Sequence, residues 1–106
     1  MPCDKTPRPY EPPEELERIG LRGWIVEDVW IDKYDGWEPH IQALKHENGD
    51  LSLRIFYYKK DKEGRKGFVS LPCFIYDWTI DDFREEILKC KCSIIRMLLR
   101  KYVEAL

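Results

Sequence analysis

Long apolar runs are missing from this sequence. No stretch approaches the roughly 18 residues that cross a bilayer, and the N-terminal MPCDKTPRPYEPP lacks the apolar segment of a signal peptide. A cytoplasmic protein with no membrane partner is the expectation. Histidine is scarce, at two residues, and the four cysteines, Cys3, Cys73, Cys90 and Cys92, form neither a CxxC pair nor a Cys/His zinc array. On a helix, Cys90 and Cys92 would point about 200° apart, so they read as small apolar residues without a metal or redox role. The Walker spacing that would make a phosphate loop of Gly64 and Gly67 is also absent. His40 and His46 fall on one strand face about 20 Å apart, too far to share an ion. Asp28, Asp32 and Asp35 cluster near a strand end and Asp77, Asp81 and Asp82 near a helix start, without the convergence a metal nuclease needs. No catalytic residue, metal or cofactor is expected, and the protein reads as a non-enzyme.

What is present is the composition of one globular domain spanning residues 1–106: 43% hydrophobic and 36% charged, with a net charge of −2. The charge is uneven. Residues 1–50 hold 6 Lys and Arg against 12 Asp and Glu, whereas residues 51–106 hold 12 against 8. An acidic total argues against indiscriminate duplex binding, while local basic clusters leave a footing for a phosphate backbone.

Five of the seven prolines fall in residues 1–13, which predicts an extended arm over 1–12. Pro12 and Pro13, the acids that follow and Gly20 predict a short helix over 13–19. From Gly23 the period becomes two, placing Ile25, Val29 and Ile31 on one face and Trp24, Val26, Asp28 and Trp30 on the other. A second strand over 39–47 is closed by the turn dipeptide Asn48-Gly49 onto a third over 51–60. A polar loop over 61–67 precedes a fourth over 68–76, where Pro72 favours an edge. Thr79, with Asp82 three residues on, opens a helix that neither glycine nor proline interrupts to Leu106. Its length of about 39 Å exceeds the about 19 Å width of four strands. The fold class is α+β: a four-stranded antiparallel sheet (13–78 with the short helix) and a long C-terminal helix over 79–106 packed on one face.

The organising stretch is LSLRIFYYKK, residues 51–60. Alternation puts Leu51, Leu53, Ile55 and Tyr57 toward a core and Ser52, Arg54, Phe56, Tyr58 and Lys60 on the open face. Rings beside cations suit unpaired bases and their phosphates, although a sheet with snorkelling cations and surface aromatics gives the same pattern. With Trp24, His40, Gln42 and His46, the face away from the helix collects Trp30, Arg54, Phe56, Tyr58, Lys60, Phe68, Phe74 and Tyr76 as the candidate nucleic-acid site, and the basic loop 59–67 lies at its mouth. An aromatic patch edged by cations fits two functions: sequence-independent binding of single-stranded DNA or RNA, or a protein–protein adaptor.

On these residues the chain resembles the archaeal Thermo-DBP single-stranded-DNA-binding proteins, through its aromatic strands, proline-containing N-terminus and apolar last helix. The order of four strands and a long helix over 23–106 also resembles the Whirly type. The resemblance implies single-strand binding and assembly through the helix. Independently, Leu88, Ile95, Leu99, Tyr102 and Leu106 form a second helical stripe beside Phe83, Ile87, Cys90, Ile94, Met97 and Leu98. A sheet covers only one of these stripes, so a homodimer or a dimer of dimers is expected to cover the other, the alternative cover being the short helix over 13–19.

Overall fold

The computed structural model describes residues 2–10, 22–69 and 74–105. Its strands are β1 (Cys3–Asp4), β2 (Arg8–Tyr10), β3 (Gly23–Trp30), β4 (Trp37–His46), β5 (Leu51–Lys60) and β6 (Lys66–Val69), followed by helices α1 (Asp77–Cys90) and α2 (Ser93–Glu104). All pairings are antiparallel: β3, β4, β5 and β6 run side by side, and β1 and β2 both lie along the outer edge of β3. The expected four strands are therefore six. Within the described residues 2–10, the proline-rich arm supplies two short strands of the sheet. Pro9 pairs opposite Trp24 on an edge strand, where a missing backbone donor does least harm. The helix expected over 13–19 lies outside the described residues.

The β4–β5 hairpin is the best-specified part of the chain. Gly49 takes the left-handed conformation its turn requires, at φ 91°. Ile41, Ala43, Leu53 and Ile55 then fall on one face, opposite one another. Against this face pack Phe83 and Ile87 of α1 and Ile95 of α2, completing a core with Val29, Ile31, Cys90 and Cys92. In β3 a bulge between Ile25 and Glu27 reverses the alternation. Ile25 consequently leaves the face of Val29 and joins Tyr10 and Leu44 in a small cluster on the other side. The same bulge presents the buried Glu27 to α2, where its carboxylate accepts from the Ile94 and Ile95 amides at 3.2 and 2.8 Å. Those amides belong to the open first turn of a helix, so a strand residue supplies the cap.

The expected single helix is two. Thr79 is buried and caps nothing, because α1 begins two residues earlier with Tyr76 at its N-cap position. Beyond Cys90 the chain turns at Lys91, which adopts φ 55° and ψ 47°. The Cys92 and Lys91 amides bond back to the Ile87 and Leu88 carbonyls, the double closure of a Schellman motif. Two helices of 14 and 12 residues fit the sheet that one of about 39 Å would overrun. The break carries no sequence mark, since lysine occupies the position that glycine usually fills. Lys91→Gly should accordingly raise stability by about 1 kcal/mol, seen as a higher urea midpoint at unchanged slope; a lower midpoint would refute the αL cap.

The described end of the expected fourth strand, residues 74–76, is not strand. β6 ends at Val69, and residues 74–76 lead directly into α1. Pro72 and Cys73 lie outside the described residues. Cys90 and Cys92 sit buried in the core, and burial pushes their thiols up to about 12 and about 11, respectively. Among the described residues, no helix is long and apolar enough to cross a membrane.

Candidate nucleic-acid interface

The sheet face away from the helices carries Trp30, His40, Gln42, Arg54, Phe56, Tyr58 and Phe68, but they are engaged with one another; the β3 bulge that brings Ile25 to this face turns the expected Trp24 away from it. Trp30, His40 and Phe56 are paired across β3, β4 and β5. Their rings stack in a row, with His40 5.4 Å from Trp30 and 5.0 Å from Phe56. Phe68 lies 4.7 Å beyond Phe56, and Tyr58 meets it edge-on at 5.2 Å. Arg54 lies over the Phe56 ring, 5.0 Å from its centre. Enclosed on all these sides, Phe56 is 0% exposed. No base can stack on it.

The cations of this face are likewise held. Arg54 gives two hydrogen bonds to Gln42 Oε1, at 2.6 and 3.0 Å. The buried Asp28 accepts from Arg8 at 2.7 Å and Gln42 at 3.1 Å, and meets His40 Nδ1 at 2.8 Å. The other His40 nitrogen meets Glu38 at 2.8 Å, and Glu38 pairs with Lys66 at 3.1 Å and Lys60 at 3.5 Å. Burial alone would raise the Asp28 and Glu38 carboxyls. The hydrogen bonds outweigh it, those from His40, Arg8 and Gln42 holding Asp28 below its ordinary value and those from His40 and Lys66 doing the same for Glu38. Beside this network, His46 bridges Tyr10 and Ser52 at 3.0 and 2.8 Å. Phe68 is 52% exposed, the most open of the predicted rings on this face.

Phe74 and Tyr76 belong elsewhere. They join a second aromatic cluster on the helix side of the sheet, at the end where β4 begins. Trp37 is its hub: it stacks on Tyr34 at 4.9 Å and meets Tyr57, Tyr76 and Trp78 edge-on. Tyr76 and Trp78 lie parallel, 4.8 Å apart and within 6°. Phe74, Tyr76 and Trp78 are each close to half exposed or more. Tyr34 is fixed in turn by its hydroxyl, which donates to Asp82; burial and that bond push the phenol up. A cavity of about 520 Å³ opens between Trp37, Tyr57, Phe74, Tyr76 and Trp78, with Asp35 and Lys59 at its edge.

Lys59 also lines the neighbouring 380 Å³ recess of the β5–β6 hairpin, with Lys60, Arg65 and Lys66. The rings therefore run directly into the basic loop. Trp37, Tyr57 and Trp78 were not among the site residues singled out from the sequence, whereas Lys59 was, as the first residue of the basic loop. Parity within β4 and the hairpin register would have placed Trp37 and Lys59 opposite each other. Nothing local places Trp78, which arrives from the start of α1.

The expected oligomerisation stripe is divided by the helix break. Ile95 is fully buried in the protomer's own core, Leu88 and Leu99 line a groove between the helices and the sheet, and Tyr102 is 70% exposed at the end of α2. Leu106 lies outside the described residues. Among the described residues, no three His, Cys, Asp or Glu side chains converge to hold a metal ion. The chain matches no family model, no curated protein and no solved structure.

Proposed function

We propose that this protein binds single-stranded nucleic acid without sequence preference, through the aromatic end of the sheet and the basic hairpin beside it. The observation that carries this reading is the parallel, half-exposed Tyr76–Trp78 pair, joined through Lys59 to Arg65, which stands open to solvent on the hairpin beside its loop partners Asp61 and Glu63. Flat faces accept any base, and the hairpin cations meet the phosphates that follow. The far face, whose cations are paired with Glu38, Asp28 and Gln42, contributes stability to this reading and not contacts. Nor is the helix-mediated homodimer carried into it, since Ile95 is committed to the protomer's own core.

Titration with short oligo-dT, followed by tryptophan fluorescence, tests the proposal. Quenching should saturate, weaken as salt rises and be absent with duplex. Trp78→Ala and Tyr76→Ala should each cost about 1–3 kcal/mol of binding, and Arg65→Ala should flatten the salt dependence by about one unit of slope. Phe68→Ala, on the far face, should leave affinity unchanged. A folded parent that leaves oligo-dT unbound at low salt would turn the same rings over to a protein partner, and loss of binding in Phe68→Ala alone would move the site to the far face.

A further inference from the structure

A separate groove of about 600 Å³ lies between α1, α2 and the helix side of the sheet, and it shares no lining residue with the aromatic end. Its walls are almost wholly branched aliphatic, with Ile41, Ile55, Ile80, Ile87, Leu88 and Leu99 among them. Ile80 and Leu88 stand at least half exposed, and Ile55 is 40% exposed. Three arginines, Arg84, Arg96 and Arg100, complete the lining. Among the described residues none of the three forms an ion pair, whereas Lys60, Arg65 and Lys66 of the hairpin recess each have a carboxylate partner.

An apolar trough with unmatched guanidinium groups specifies a ligand of two parts. Apart from Phe83, whose ring is only 3% exposed, the apolar lining is aliphatic, so it suits a flexible hydrocarbon chain. The arginines suit an anionic head, since a guanidinium fork binds carboxylate or phosphate through paired hydrogen bonds. The volume falls within the range of small-molecule sites. A second copy of this chain is a poor occupant: a two-fold contact would set the same three arginines against their own images. We propose that the groove binds a single-chain amphiphile with an anionic head, its chain along the isoleucine and leucine walls and its head on Arg84, Arg96 and Arg100.

Calorimetric titration of the full chain with tetradecanoate, tetradecyl phosphate and tetradecyltrimethylammonium, each below its micelle concentration, tests this. Both anions should bind saturably at one per chain, and their ratio distinguishes a carboxylate from a phosphate head. The cation should bind at least tenfold more weakly. Each methylene removed should weaken binding roughly fourfold. Arg100→Gln, an exposed change that leaves the core intact, should weaken the anions about tenfold or more. Ile80→Glu, also exposed, should abolish binding while circular dichroism stays unchanged. Equal binding of cation and anions, indifference to Arg100→Gln, or no saturable binding by the folded parent would each overturn the proposal. So would a dimer, seen by light scattering, that Leu88→Glu dissolves while no amphiphile binds.

Discussion

Phe56→Ala should lower stability by about 3–5 kcal/mol, read as a urea midpoint far below the parent's. The ring is 0% exposed and touches His40, Arg54, Tyr58 and Phe68. Its loss leaves a void at the centre of the far face that none of these neighbours can fill without leaving its own partner. It also removes three ring contacts and the platform under a guanidinium. Where the variant is still folded, its affinity for oligo-dT should match the parent's. A loss below about 1 kcal/mol would mean that the row of rings opens in solution, and with it the expectation that Phe56 meets a base would return.

Asp28→Ala should cost a comparable amount at neutral pH, about 3–5 kcal/mol. The carboxylate is 2% exposed and serves Arg8, His40 and Gln42 together; its removal takes the acceptor from the buried Gln42 amide and leaves the partly buried Arg8 guanidinium with Asp4 alone. The pH dependence distinguishes this account from simple loss of volume. Asp28 is held below its ordinary carboxyl value in the folded state, so its contribution is fully present above that value and is lost as pH falls through the lower, folded one. Glu38 adds to the same acid limb in the same sense. The gap between parent and Asp28→Ala should therefore be widest at neutral pH and close as the medium is acidified below about pH 4. A gap that stayed constant across that range would assign the loss to packing.

Much of the sheet was legible because its signals are local. Asn48-Gly49 and the alternation of residues 51–60 fixed the hairpin and the two faces of β5, down to Leu53 and Ile55 toward the helices and Arg54 and Phe56 away from them. The features that escaped are those with no local mark. Prolines argue against a strand unless the strand is an edge, so the arm's pairing with β3 was hidden. A lysine in a left-handed conformation looks like any other helix residue, so the break at Lys91 passed unseen, and with it the division of the stripe that holds Leu88 and Ile95. The bulge beyond Ile25 needs only one extra residue and no glycine.

The far face was misjudged for a different reason. Rings and cations on alternate positions look available in one strand, whereas their engagement depends on partners on other strands: Gln42 for Arg54, Asp28 for Arg8 and Glu38 for Lys66. Composition counted the charges correctly. It could not show which were already neutralised by a neighbour.

The carboxylate of Glu27 also bears on how the molecule opens. The first turn of a helix ordinarily frays before the rest, and its amides exchange with solvent through that small local motion. Here the Ile94 and Ile95 amides bond to a side chain from 67 and 68 positions earlier in the chain. They can exchange only when β3 gives up its carboxylate or α2 lifts from the sheet. Hydrogen exchange at those two positions therefore reports the union of strand and helix. Their protection should track that of the β3 amides and stay apart from the freely fraying end of α2 near Glu104.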